Sequence, residues 1–548
     1  AGNDVVFNGT VNVKNNQEGE VEIGGATVSS TGAKFLGNQL ETTLYAAGKM
    51  GIDERAADRN DHRYTAETTA ANTLTVDGIE ARGSSVDAKG EQLSLGGGVV
   101  SVKNSSAKVD TLSIEALSSY KGKGGGVLIE TKAAPDRTVN VAGSRFDAAE
   151  VRVHGGKVTV DENTKFDGGG LARLVEIVAD SVDDRNNRFT TEKGNDLAFH
   201  GDIAGYKSTV PFIGNTVNLD HATVNAGRLN VAAGNELVAS EGDGFAGKAT
   251  TENTVSAADA VINTTDDTWL VGGKVAVKDS SFTSDEEVRL VAGNEVDYGK
   301  YYTVAAATAD NTVRMENVKA DVKEFGVVGG KVDLTGANIT AREDVSFLIG
   351  NEVNGDNATV TKDNMLTLRR TTINAPVAEL SAAGAEAYDG TTVNASKELK
   401  RFDVKRTDGS EAVYQRDASS HIRQNGEEAS IFKVVNTKPE PKPEPKPEPQ
   451  PQLQPKPVPT PELSKDDKEN MASGKKAVEE ALSKNASQEN RIAALTHVVA
   501  DLNAKASRRQ SAGVVVGIVQ EVATSAALSD GEKVALVERV LSAYAPVQ

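Results

Sequence analysis

With 548 residues, 38% of them hydrophobic, the chain is long enough for two or more folding units with sizeable cores, which excludes a disordered protein. A formal charge of −19 leaves no cationic footprint for a phosphate backbone, so nucleic acid is excluded as an expected partner. The chain has no cysteine, and this rules out a disulfide framework, a thiolate metal site and a cysteine nucleophile.

Lack of cysteine also favours export, because an early disulfide would obstruct passage of an unfolded chain across an outer membrane. No run approaches the ~18 apolar residues of a membrane helix. The first residues, Ala1-Gly2-Asn3-Asp4, carry no charged-then-apolar signal, so the sequence is expected to be a mature or excised form. Aromatic residues make up 4% with a single Trp, Trp269, while 52 glycines and abundant Asn, Thr and Val suit many short strands and turns.

The strongest signal is internal repetition. Similar segments begin at Arg137, Asn195, Asn253 and Asn311, a spacing of 58 residues, with weaker copies near Asn72 and Asn364. Gly98, Gly156, Gly214, Gly273 and Gly330 mark a second position in the same unit. Fixed self-similarity of this length means a solenoid or a propeller. Within a unit apolar and polar residues alternate, as in Lys274-Val275-Ala276-Val277 and Ser281-Phe282-Thr283, and the segments end at Gly-Asn-Glu, as at Gly293 to Glu295. Period two reads as β.

The expected fold is mainly β: a right-handed parallel β-helix over 1–400, each unit made of two tight coils and a third carrying an excursion. About 18 to 20 coils at strand spacing would give a rod of about 90 Å. A propeller is the alternative, although its four-stranded antiparallel blades and aromatic anchors are not evident. Asp408-Gly409 and Asn425-Gly426 lie between strand-like runs, so 401–437 is expected to close the rod as a β cap of hairpins.

Residues 438–461 hold 11 of the 15 prolines and alternate Lys with Glu, which specifies an extended, solvated polyproline spacer. From 462 to 548 the apolar spacing becomes helical, as at Ile492, Leu495, Val498, Val499 and Leu502, and Ser529-Asp530-Gly531-Glu532 forms a capping box. A small all-α bundle is expected there. The apolar run Val514 to Val519 is too short to span a membrane and reads as its core.

Catalytic and metal chemistry is sought and not found. The six histidines, His62, His154, His200, His221, His421 and His497, are scattered singly, and no phosphate-binding or nucleophile motif lies in strand-to-helix context. No cofactor, metal or catalytic residue is expected. Acidic clusters at Asp183-Asp184, Asp266-Asp267 and Asp285-Glu286-Glu287 read as solvated turns, since a glycosidase needs two carboxyls facing across a groove. For ligand binding the excursion with Tyr298, Tyr301 and Tyr302 stands out in an aromatic-poor chain. Glycosylation sequons occur at Asn8, Asn104, Asn263, Asn338, Asn357, Asn394 and Asn485.

The Val- and Gly-Asn-rich coils at 214–238 (GNTVNLDHATVNAGRLNVAAGNELV) and 329–353 (GGKVDLTGANITAREDVSFLIGNEV) resemble filamentous haemagglutinin-type exoproteins of two-partner secretion systems. The likeness is one of repeat grammar, covers about residues 1–400, and extends to the order of β-helix, proline-rich segment and short terminal domain. It implies a secreted or surface-bound fibre of a Gram-negative bacterium, a virulence-associated adhesin or matrix protein. An outer-membrane export partner and a host-cell or matrix glycan or protein receptor go with it; self-association is a further expectation. Residues 1–25 do not match the family's secretion domain, which points to a distal fragment or another export class. A polysaccharide-degrading β-helix enzyme and a phage tailspike-like fibre are the alternatives.

Overall fold

The computed structural model describes residues 3–435 apart from 14–18, 38–39, 54–62, 83–91, 124–126, 173, 180, 184–187, 241–243, 298–302, 355–356 and 403, together with scattered helical positions between 473 and 537. The chain divides into two compact units, Ala1–Lys438 and Pro439–Gln548.

In the first unit the period-two alternation sets the architecture. In Lys274–Lys278 the side chains of Val275 and Val277 are buried while Lys274, Ala276 and Lys278 face outward. The strand lies parallel between Thr254–Ala258 and Thr312–Glu316, with Val255, Val275 and Val313 in register. Parallel pairing of this kind continues through sixteen strands, from Asp4–Val6 to Lys433–Val434, which form face 1. A second sheet of 22 strands carries faces 2 and 3. Thr223–Ala233 runs along both, its first half over Val261–Thr264 and its second over Thr268–Gly272. Each turn of the chain therefore adds one stretch to every face, and the result is a β-helix-like solenoid.

Inward side chains stack on their own kind. Val139, Val158, Leu197, Val217, Val255, Val275, Val313 and Val332 follow one another in register, each no more than 1% exposed. Burial of each such side chain contributes about 1.5–3 kcal/mol. Inside the rod the rings of Phe146 and Phe166 from face 2, Phe199 from face 1 and Phe212 from face 3 form a continuous series, with successive centroids 5.4, 6.3 and 4.9 Å apart.

Along face 3 alternation gives way to continuous burial: every residue of Thr268–Gly272 and of Glu287–Ala292 is buried. The cause is a second layer. Past face 3 some coils send out an arm, such as Glu295–Asp297 paired antiparallel with Thr303–Ala306. Such arms join into a nine-stranded, mostly antiparallel sheet. Trp269, Val271, Val291, Val328 and Leu348 on the outer side of face 3 pack with Phe189, Leu237, Val296, Val353 and Ala358 of the arms, a second core outside the rod. Strands buried on both sides read as unbroken apolar runs, here TWLVG and EVRLVA.

The arms explain the 58-residue period and correct its reading. Val255 and Val275 are 20 residues apart, Val275 and Val313 are 38. A unit thus holds two coils, one tight and one with an arm, rather than three. Face 1 has sixteen strands, so the rod is about 72 Å long at strand spacing, shorter than expected because arm residues build the nine-stranded sheet instead.

Two corner devices hold the coils. Where the chain enters face 1 the sequence reads Thr-x-x-Asn at Thr69–Asn72, Thr250–Asn253, Thr308–Asn311 and Thr361–Asn364, and the Asn Oδ1 accepts the Thr backbone N–H at 2.6 to 2.8 Å. Gly98, Gly156, Gly273 and Gly330 sit against these corners; a Cβ there would lie 1.6 to 1.8 Å from the carbonyl oxygen of Thr69, Ala134, Thr250 or Thr308. In the coil of Gly214 the equivalent place is taken by Asn215, whose amide donates to Asn235 Oδ1 at 2.9 Å. Between faces 1 and 2 a column including Gly78, Asn104, Gly143, Asp259, Asp279, Asn317 and Gly336 turns the chain at φ of 47° to 67°, which explains the residue types found there.

The region expected as a cap behaves differently. Val413–Arg416 and His421–Gln424 lie parallel to Gly384–Tyr388 and Thr392–Arg401 of the preceding coil, so the solenoid continues past 400. Asp408-Gly409 turns a loop between Val404–Arg406, which joins the arm sheet, and Val413–Arg416; it does not connect an antiparallel pair. Asn425-Gly426 does: both have positive φ, 51° and 82°, and Arg423 and Gln424 pair antiparallel with Glu428 and Glu427. Tyr414 and Phe432, edge to face at 5.6 Å, close this end of the core.

In the second unit the described positions, among them Ser473, Val478, Val514, Val515, Ile518, Val522 and Lys533, are helical. Val514, Val515, Ile518 and Val522 are buried and fall on one helical stripe. The proline-rich segment and the remainder of the expected bundle lie outside the described residues.

Candidate functional surfaces

Tyr298, Tyr301 and Tyr302 lie outside the described residues; in sequence they fall between Glu295–Asp297 and Thr303–Ala306. Asn485 is also outside them. Of the other sequon residues, Asn104 donates its amide to Asp77 Oδ1 at 3.0 Å, and Asn263 and Asn394 donate to Asn225 and Asn374 at 2.8 and 2.9 Å. Asn8 accepts the Thr31 N–H at 2.8 Å, and Asn338 and Asn357 stand exposed.

The densest charge cluster lies where face 2 bends into face 3. Thr268 pairs with Val288, Glu287 with Glu324 and Glu324 with Asp344, so Asp267, Glu287, Glu324 and Asp344 form one column on four successive coils. Asp267 Oδ1 accepts the Glu287 N–H at 3.4 Å. Arg228, one coil earlier, reaches Asp266 and Asp267, both at 3.0 Å, and its guanidinium lies 5.6 Å from the Trp269 ring centre. Glu287 pairs with Arg289, both nearly buried. In the adjoining column Lys323 Nζ donates to Glu286 Oε2 at 2.6 Å, and Arg342 donates to the Ser284 carbonyl at 2.8 Å.

Burial pushes the Glu287 carboxyl up to about 7 although Arg289 opposes it, and burial together with Glu324 and Glu379 pushes Asp344 up to about 6. Asp267 is raised by burial and by Asp266 against the pull of Arg228; Glu324 is raised by burial and Glu343 against Lys323. Chemically the column is a set of carboxyls in register on neighbouring coils, each held above its ordinary value. Replacing Arg289 with Leu strips Glu287 of its counter-charge. The expected loss is about 3 kcal/mol, read as a fall in the urea midpoint that is larger at pH 8 than at pH 5.5.

Two further features lie apart from the column. His154, 2% exposed, faces Glu176 at 3.5 Å; burial works to raise that carboxyl, but the His154 ring and Arg152 outweigh it and hold it below its ordinary value. On the open side of face 1, the short side chains of Ser256, Ala258 and Ala276 floor a trough walled by Asp220, Lys278, Arg314 and Asp333. Among the described residues no three His, Asp or Glu side chains are grouped to hold a metal ion, and no helix is long and apolar enough to cross a membrane.

In sequence Asp266-Asp267 and Asp285-Glu286-Glu287 read as solvated turns, and no motif there singles out Glu324 or Asp344. Each member of the column directly precedes a face 3 strand segment, TWLVG, VRLVA, FGVVG or VSFLI, and aligning the coils on those runs would have revealed it. Comparison with family models, curated proteins and solved structures finds no match.

Proposed function

We propose that the chain is an extracellular bacterial fibre, an adhesin or structural matrix protein, built on a right-handed parallel β-helix of the filamentous haemagglutinin kind. In this reading it passes through an outer-membrane partner unfolded, folds outside, and presents its rod to a host-cell or matrix glycan or protein receptor. A proline-rich spacer and a small helical bundle follow. The observation that carries the proposal is the uninterrupted sixteen-strand parallel face with arms layered along another side of the rod. Such a body offers long outward surfaces made of short polar side chains, and the trough around Arg314 and Asp333 is the place on face 1 where a sugar would find hydroxyl partners.

A second reading, a polysaccharide-degrading β-helix enzyme, draws on the raised carboxyls of Glu287 and Asp344, since perturbed carboxyls recur at catalytic sites. One experiment separates the two: the full chain is applied to a glycan and matrix-protein array while reducing-end release is followed on the same glycans. Binding without release, reduced about tenfold in Arg314→Ala, a loss of about 1.4 kcal/mol, is the expected result. Release that disappears in Glu287→Gln would sink the adhesin in favour of the enzyme. Silence in both assays would leave a structural fibre.

A further inference from the structure

We propose that the column Asp267, Glu287, Glu324 and Asp344 is a pH-responsive fastener: with carboxyls protonated these four coils hold together in mildly acidic surroundings, and full ionisation above neutrality loosens them. The inference concerns how the rod responds to its surroundings and stands whatever the fibre binds.

Register is the first support. Parallel pairing places the four carboxyl-bearing residues one above another, Glu287 opposite Glu324 and Glu324 opposite Asp344, at the strand spacing of about 4.8 Å. Like charges directly opposite one another in a sheet destabilise it. A solenoid cannot relieve this by sliding, because a one-residue slip would turn the stacked Leu270, Leu290, Val327 and Phe347 out of the core.

Charge balance is the second. Beside the column the cations are Arg228 on the coil before it and Arg289 and Lys323 on its own coils, and each is already engaged: Arg228 by both Asp266 and Asp267, Arg289 by Glu287, and Lys323 by Glu286. Arg342 turns toward Asp285 at 3.7 Å. Asp266, Glu286 and Glu343 add negative charge from the adjoining column, and Glu379 adds it from the coil beyond Asp344, where Lys400 pairs with it at 2.9 Å. Glu324 and Asp344 are left without an ion pair among the described residues. Val377 stands next in register after Asp344, so the run of carboxyls ends there on an apolar residue.

The sign follows from linkage. Glu287 and Asp344 titrate near 7 and 6 in the folded chain against ordinary values of 4.5 and 3.8, so between those limits the folded column holds protons that the unfolded chain has released. The stabilising contribution is fully present below the unfolded values and is lost as pH rises through about 6 and then about 7. This is opposite to the lowered carboxyls Asp408 and Asp417, which lose their contribution on acidification.

Hydrogen exchange on the full chain from pH 5 to 8, corrected for intrinsic exchange, reads the effect locally. The opening constant for peptides covering 264–290 and 322–346 is expected to rise about tenfold per pH unit for each proton released and to level off above pH 7.5. Peptides covering 137–160 serve as the internal control. In Glu287→Gln/Asp344→Asn the rise should vanish at 264–290 and 322–346. Should that variant fold poorly, Asp344→Asn alone should remove its share of the slope below about pH 6 and keep the slope that continues to about pH 7. An unchanged slope in the variants, a flat wild type, or an equal rise in the control peptides would overturn the proposal.

Discussion

Gly273→Ala is expected to lower the stability of the rod by at least about 3 kcal/mol. The added Cβ would lie 1.6 Å from the Thr250 carbonyl oxygen and 3.1 Å from that of Asn253, and both are backbone atoms. The Gly273 N–H itself donates to the Asn253 carbonyl at 2.8 Å, so the corner cannot open without losing that bond. Gly390 is the proper control: it has φ of +79° and nothing within 4 Å of a Cβ, so alanine there meets only left-handed backbone strain. That strain is worth about 1–2 kcal/mol. Urea midpoints followed by far-ultraviolet circular dichroism compare the two. A Gly273→Ala chain no weaker than Gly390→Ala would mean that the corner relaxes, and that the glycines of the repeat mark something other than close approach.

The solenoid was legible because its core obeys a one-dimensional rule: alternation places Val275 and Val277 inward, and the same residue types recur one coil later. The count of coils was not, because arm and rod strands share the same grammar. Leu237 in the arm Glu236–Ser240 and Val231 in the rod both sit in short apolar runs, and only pairing, antiparallel for one and parallel for the other, assigns them to different layers. The failed hairpin at Asp408-Gly409 has a similar origin. A turn dipeptide specifies a local reversal, whereas the strands around it gain more by extending the solenoid and the arm sheet.

The charge column illustrates a deeper limit. Asp266-Asp267 and Glu286-Glu287 look in sequence like surface turns; Asp266 and Glu286 do lie at bends, and Glu287 already opens the strand that follows. What changes their chemistry is vertical register and burial: spacings of 37 and 20 residues bring Glu287 to Glu324 and Glu324 to Asp344, and burial there raises the carboxyls. Neither cause can be seen within one coil. Trp269 is the converse case, a lone aromatic that the sequence left unassigned and that joins the core beneath the arms while sheltering Arg228.

Asn311→Ala is expected to cost about 3–5 kcal/mol, because each buried polar group left without its partner costs about 1–3 kcal/mol. Asn311 is fully buried. Its Oδ1 accepts the Thr308 N–H at 2.8 Å, and its Nδ2 donates to the Gly273 carbonyl at 2.9 Å and to Asn294 Oδ1 at 2.8 Å. The side chain thus ties its own turn to the two neighbouring chain segments. Asn311→Asp distinguishes hydrogen bonding from shape: it keeps the acceptor but turns a carboxylate toward two other oxygens, so it should be at least as damaging as alanine and less so in acid. An aspartate tolerated at pH 7 would show that the amide donor is not what holds the corner. Asn364 makes the same set of bonds to Thr361, Gly330 and Asn351. Losses in Asn311→Ala/Asn364→Ala that add to within about 0.5 kcal/mol would mark the two corners as independent clamps. A smaller combined loss would mean that opening one corner already frees the other, as nearest-neighbour coupling along a solenoid requires.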